Sequence, residues 1–127
     1  MKHQELTAKI IECAYKVYNT LGYGFLESVY QNALLMELLK ASLRAEKEKK
    51  IQVHYDNQLV GEYVADIIVE QSVILELKSV KELHAAHSAQ LVNYLKATGI
   101  EVGLLINFGE RVEIKRKVYT PPKDCSQ

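Results

Sequence analysis

A chain of 127 residues, 48 % hydrophobic and 25 % charged, has the length and composition of one ordinary domain with a sizeable core. Its 16 basic and 16 acidic residues give a net charge of +0. That balance argues against a strong non-specific polyanion binder, because such affinity scales with the number of phosphates neutralised. It leaves a nuclease open, since a bound metal carries positive charge to the site itself. The two cysteines, Cys13 and Cys125, lie in unrelated contexts, so a disulfide framework is not expected and a reducing cytoplasm is the default location. The polar start Met1-Lys2-His3-Gln4-Glu5 does not read as a signal peptide. No apolar run approaches the ~20 residues that cross a bilayer, so no membrane association is expected.

In chain order, Gln4–Thr20 reads as a helix with Leu6, Ile10, Cys13, Val17 and Leu21 on one stripe, broken by Gly22-Tyr23-Gly24. A second helix is expected from about Leu26 to Ala41, with Val29, Ala33, Leu34, Leu38 and Leu39 at helical spacing. Lys47–Lys50 is a charge run leading into a strand over Ile51–Tyr55, and Asp56-Asn57 is a turn signal. Leu59–Val69 and Val73–Val80 are the next strands, joined through Glu70-Gln71-Ser72. A third helix spans roughly His84–Thr98 and closes on Gly99. Val102–Asn107 and Val112–Tyr119 are strands separated by Gly109-Glu110, and Pro121-Pro122 ends the fold. The expected order is α-α-β-β-β-α-β-β, an α/β fold with one mixed sheet flanked by helices. Residues 1–120 form a single domain, and 121–127 form a loose tail.

Three charged residues stand inside the two apolar, β-branched runs around Glu70-Gln71-Ser72: Asp66, Glu76 and Lys78. An ionised group in a buried strand is costly unless it is paired or binds a metal. A hairpin centred on Gln71 puts position 66 opposite position 76, and directly opposed residues point to the same face. Alternation puts Lys78 on that face with Glu76, and turns Val73, Leu75 and Leu77 toward a core. A slip of one residue in register would destroy this convergence. Two carboxylates can hold Mg²⁺ or Mn²⁺, which takes its other ligands from water and phosphate. The bound cation lowers the pKa of its water, and a nearby lysine orients that water or steadies the transition state. The competing reading is structural, an internal salt bridge of Lys78 with Glu76 or Asp66.

Asp66 followed by Glu76-Leu77-Lys78 at the end of a hairpin, then a helix and another strand, resembles the core of the PD-(D/E)XK nuclease superfamily, the restriction-endonuclease-like fold. The segment Gly24-Phe25-Leu26-Glu27-Ser28-Val29-Tyr30 is similar to the signature of the small bacterial GxxExxY proteins assigned to that superfamily. The resemblance runs from roughly Leu6 to Val118, and departs where Ala65 precedes Asp66 in place of proline. It implies metal-dependent phosphodiester hydrolysis, with Asp66 and Glu76 as metal ligands and Lys78 at the attacking water. Gln90-Leu91-Val92-Asn93-Tyr94 matches a Gln-x-x-x-Tyr motif of one branch, which implies that Gln90 shapes the metal site or contacts a phosphate. Gln90 and Tyr94 lie four apart and share a helix face; the plainer reading of Gln90 is a hydrogen bond to a neighbouring strand. Glu27 matches an early-helix glutamate that reaches the metal in that branch, but it also suits a helix N-terminus on charge grounds alone. Tyr30, at i+3, either hydrogen-bonds Glu27 or packs.

Weaker candidates remain. His84 and His87 are too few for a zinc site but can touch phosphate near the third helix. Lys47, Lys49, Lys50, Lys115, Arg116 and Lys117 read as a solvated face or as contacts to a nucleic-acid backbone. Among 8 tyrosines, Tyr15, Tyr18, Tyr23 and Tyr30 cluster at the helix junction, where packing accounts for them. The function expected is an Mg²⁺- or Mn²⁺-dependent nuclease acting on DNA rather than RNA, with a homodimer as the arrangement that analogy suggests, since two cuts need two sites. The alternatives are a catalytically idle nuclease fold serving as a nucleic-acid-binding or protein-interaction module, and a small-molecule enzyme using the same metal chemistry.

Overall fold

A computed structural model describes residues 3–122. The tail beyond that, with Cys125, lies outside the described residues. The order is α1 (Gln4–Leu21), α2 (Glu27–Lys40), β1 (Ala45–Tyr55), β2 (Gln58–Val69), β3 (Val73–Lys78), α3 (Ala85–Thr98), β4 (Val102–Phe108) and β5 (Val112–Val118). The strands form one sheet in the order β1-β2-β3-β4-β5. β3 and β4 are parallel and the other neighbours antiparallel, so α3 is the crossover of a βαβ unit.

Helices cover both faces. Against α1 and α2 the sheet presents Ile67, Val69, Val73, Leu75, Leu77, Leu104, Ile106 and Phe108, with Ile10, Val17, Tyr30, Leu34 and Leu38 opposite them. Against α3 it presents Ile51, Ala65, Ile68, Ile74 and Leu105, facing Leu91, Tyr94 and Leu95. The α2 stripe is therefore Tyr30, Leu34 and Leu38, whereas Val29 and Leu39 of the expected stripe are 37 % and 53 % exposed. α3 lies close on β4: a Cβ on Gly103 would sit 2.7 Å from Leu91 Cδ1.

Several boundaries differ from those read in the sequence, and for three of them the physical reason is visible. β1 begins at Ala45 rather than Ile51, so the Lys47–Lys50 run is part of the strand. It is the edge strand of the sheet, where charged residues stay in water. β3 stops at Lys78 rather than Val80, because the Asn107 side chain takes over the pairing: Val80 N–H donates to Asn107 Oδ1 (2.9 Å) and Asn107 Nδ2 donates to Val80 O (2.8 Å). His84 caps α3 rather than belonging to it. Of the four tyrosines at the helix junction, Tyr30 stacks on Phe108 at 4.5 Å and Tyr18 at 6.5 Å, whereas Tyr15 and Tyr23 are 45 % and 62 % exposed.

The β2–β3 turn has the register centred on Gln71. Glu70 and Gln71 both take positive φ (52° and 53°), the backbone that suits a tight hairpin, and Ser72 N–H donates to Val69 O at 2.9 Å. Arg44 secures the turn from outside: Glu70 N–H donates to Arg44 O at 2.7 Å and Arg44 N–H donates to Glu70 Oε2 at 2.6 Å. The pairs Val69↔Val73, Ile68↔Ile74 and Ile67↔Leu75 follow.

Candidate active site

The next pair in that register is Asp66 and Glu76, and there the main-chain ladder ends. The side chains take its place. Asp66 N–H donates to Glu76 Oε1 at 3.2 Å, and Leu77 N–H donates to Asp66 Oδ2 at 2.7 Å. The other edge of β2 opens at the same point: the β1 register would set Glu48 against Asp66, but Glu48 has φ 55° and the pairing skips from Lys47↔Ile67 to Lys49↔Ala65. Ala65 faces α3 and Ile67 faces α1 and α2, so strict alternation fails here. Gln31 Nε2 of α2 satisfies the freed Asp66 carbonyl at 2.9 Å. An interruption in both ladders is how a half-buried carboxylate enters a sheet interior without leaving backbone groups unpaired.

The electrostatics follow from burial. Glu76 is 7 % exposed. Burial first, and then the neighbouring Asp66, push its carboxyl up to about 8, against the Asp66 N–H bond and Lys78. Asp66 is raised as well, by burial above all, with the Leu77 N–H and Lys78 opposing and Glu27 and Glu48 adding to the rise. Lys78 thus acts on both acids. Among the described residues it forms no ion pair, so the internal salt bridge is not formed. It remains half-buried at the end of β3, beside Asn107 of β4.

Other residues surround this trio at different ranges. Glu27 is exposed in the first turn of α2 and acts on Asp66 and on His87. Tyr30 does not bond to Glu27. Its hydroxyl donates to Gly22 O at 2.7 Å and accepts from Phe25 N–H at 3.3 Å, fixing the loop from which α2 starts. Gln90 bonds within its own helix, Nε2 donating to the Tyr94 hydroxyl at 2.9 Å. Burial, then Glu76, raise the Tyr94 phenol, with Gln90 opposing and Asp66 adding to the rise. His87 accepts His84 N–H on Nδ1 at 3.2 Å, and burial, then Lys78, lower its pKa. Sequence reasoning missed Gln31 and Glu48. Gln31 was accessible from its place four residues after Glu27 on the same helix face; Glu48 was hidden in a charge run.

One buried and one half-buried carboxyl, both raised above their ordinary range and each bonded to the other's strand, are a site that a divalent cation fits, since a cation there would relieve the cost of burying like charges. Among the described residues no three of His, Cys, Asp and Glu group as a ready set of ligands. Asp66 and Glu76 are the two carboxylates that could hold such a cation, and two carboxylates suit a hard cation that keeps water and phosphate as its other ligands. Lys115, Arg116 and Lys117 lie on the opposite edge strand, β5. Among the exposed lysines of β1, Lys47 bonds Asn32 at 3.2 Å and Lys49 pairs with Glu46 at 3.0 Å.

An acid pair and a lysine at an interrupted hairpin, in a mixed sheet covered by helices on both faces, define a nuclease-type α/β domain. The chain belongs to the PD-(D/E)XK nuclease superfamily, whose family profile matches residues 4–117. Among solved structures, the crystal structure of SSO0001 shares the fold with a TM-score of 0.60 at 18 % identity, over 76 % of this chain and 52 % of that one. The chain thus spans about half the length of that relative. No curated protein matches the chain. Among the described residues, no helix is long and apolar enough to cross a membrane.

Proposed function

We propose that this protein is an Mg²⁺- or Mn²⁺-dependent nuclease that hydrolyses phosphodiester bonds in DNA. The observation that carries the reading is the reciprocal pairing of Asp66 and Glu76 beside a lysine that has no ion-pair partner among the described residues. Asp66 and Glu76 hold the cation. When bound, it supplies a water of lowered pKa and charge to set against the oxyanion developing on phosphorus. Lys78 donates from its ammonium to the attacking water or to a phosphoryl oxygen. Glu27, from the start of α2, would complete the metal site as a further carboxylate, the role that its electrostatic effect on Asp66 favours. Gln90 orients a substrate phosphate and keeps the Tyr94 hydroxyl in place. Tyr30 supports the site indirectly through the Gly22–Phe25 loop. The sequence Gly24-Phe25-Leu26-Glu27-Ser28-Val29-Tyr30 is what supports placing the chain in the GxxExxY group.

Purified protein incubated with Mn²⁺ and a panel of linear, circular, single-stranded and branched DNAs tests the reading. Cleavage that stops in chelator and in Asp66→Ala or Lys78→Ala supports it; cleavage retained by both variants overturns the assignment of the site. A second reading, an idle nuclease fold that binds without turnover, draws on the absence of a three-ligand group among the described residues. Mn²⁺ binding without cleavage of any DNA or RNA favours that second reading.

A further inference from the structure

The β1–β2 hairpin is longer than the sheet it belongs to. β3 pairs only with Ile67–Val69 of β2, so the part of the hairpin before Asp66 reaches past β3 as an arm. α3 runs beneath it, and between the two lies a cleft of about 490 Å³. This is within the ~300–1,000 Å³ range typical of small-ligand sites. We propose that this cleft receives an unpaired nucleobase of a single-stranded segment, next to the bond that is cut; the second half of this statement rests on the nuclease reading above.

The chemistry of the lining selects the occupant. Tyr63 offers a ring that is 45 % exposed, braced at 5.7 Å and 47° by Tyr94, which is itself only 7 % exposed. A braced, half-open aromatic ring is a stacking platform, and it accepts any base because every base has a π face. Three carboxamides share the cleft: Gln52 from the arm, and Gln90 and Asn93 from α3. Each carries both donor and acceptor, the combination that a base edge needs. Lys96 at the rim supplies one cation for a backbone phosphate. A base inside a duplex is stacked and paired, and cannot present its face and edge here together. The balanced charge of the chain also provides little of the phosphate neutralisation on which duplex affinity depends.

The cleft and the acid pair are joined by one residue. Tyr94 lines the cleft, its hydroxyl holds Gln90, and both Glu76 and Asp66 act on it electrostatically. A base stacked on Tyr63 would therefore place its own or the adjacent phosphate toward Asp66, Glu76 and Lys78.

The test uses the full-length protein in chelator, titrated into a single-stranded DNA dodecamer carrying one 2-aminopurine, and into the blunt duplex of the same sequence. Stacking on tyrosine quenches the 2-aminopurine. The expected result is quenching with the single strand, lost in Tyr63→Leu with roughly tenfold weaker binding, and restored in Tyr63→Phe. Circular dichroism confirms that each variant is folded; Asn93→Leu, altering an exposed α3 side chain, provides a second loss of affinity. Equal affinity of wild type and Tyr63→Leu for the single strand, or tighter binding of the blunt duplex, overturns the proposal. Tyr63-dependent single-strand binding by a protein that cleaves no DNA with Mn²⁺ leaves the cleft assigned and removes the nuclease reading instead.

Discussion

Asp66 and Glu76 hold each other's strand: the Glu76 carboxylate accepts the Asp66 N–H, and the Asp66 carboxylate accepts the N–H of Leu77. Each acid therefore has a structural bond and at least one further oxygen available to a cation. Asp66→Asn separates the two roles, because an amide oxygen still accepts the Leu77 N–H while the negative charge is gone. The expected outcome is an unfolding free energy within about 1 kcal/mol of wild type, no Mn²⁺ binding heat, and a large loss of cleavage. Wild-type Mn²⁺ affinity in this variant would sink the claim that Asp66 is a ligand.

Lys78 supports a different prediction. It acts on both acids without an ion pair among the described residues, so its removal breaks no bridge. Lys78→Met should change stability by no more than about 0.5 kcal/mol and leave Mn²⁺ binding intact. Cleavage should fall about 10²–10³-fold, the cost usual for removing one preorganised donor to a developing charge. Calorimetry with Mn²⁺ and single-turnover cleavage, measured on the same preparation, make the check. Loss of metal binding in parallel with activity would assign Lys78 to shaping the site rather than to the reaction.

The raised Glu76 carboxyl sets the pH dependence of the metal-free protein. Folded, Glu76 keeps its proton up to about 8; unfolded, it loses it near 4.5. Between those values the folded state binds more protons than the unfolded state, so stability falls as pH rises through that window. Asp66, also raised, acts in the same direction. The loss is on the order of a few kcal/mol. Urea unfolding in chelator should give a lower midpoint near pH 8.5 than near pH 5.5, and Glu76→Gln should reduce the difference. Adding Mn²⁺ should raise the midpoint more at the higher pH, because fewer protons have to be displaced. A wild-type midpoint that rises with pH in chelator would refute the buried-acid account.

The order of elements was legible because the signals were local. Two positive-φ residues, Glu70 and Gln71, make a turn that the polar Glu-Gln-Ser triplet already marked, and the register centred on Gln71 follows from it. What failed depended on partners distant in sequence. The Lys47–Lys50 run reads as a charged lead-in to the strand until β1 is known to be an edge strand. Val80 looks like strand until Asn107, on β4, takes its N–H and carbonyl. The alternation that predicted convergence of the acids holds for Ile67–Val69 but breaks at Asp66, where Gln31 and Glu48 enter from other elements. The acid pair was thus readable from spacing, while its supporting contacts were not.

Asn107 yields the last prediction. It is fully buried, sits beside Lys78 in the parallel β3–β4 register, and forms two bonds that hold Val80 where β3 leaves the sheet. Asn107→Leu fills similar space but leaves the Val80 N–H and carbonyl without their partners. Each unsatisfied group costs about 1–3 kcal/mol when water cannot reach it. The half-buried Val80 can recover part of that from solvent, so a loss of about 2–4 kcal/mol is expected. The loop after Lys78 would then move, and because Lys78 ends β3, cleavage should fall even at temperatures where the variant is folded. Asn107→Asp retains the acceptor for Val80 N–H but turns a buried carboxyl oxygen toward Val80 O and the Glu113 carboxylate, so it should also be destabilised, and less so at low pH, where the protonated acid can donate. Thermal unfolding gives the first comparison and cleavage at 10–20 °C below each midpoint gives the second. A leucine variant as stable as wild type would show that the Val80 segment is held by something other than Asn107.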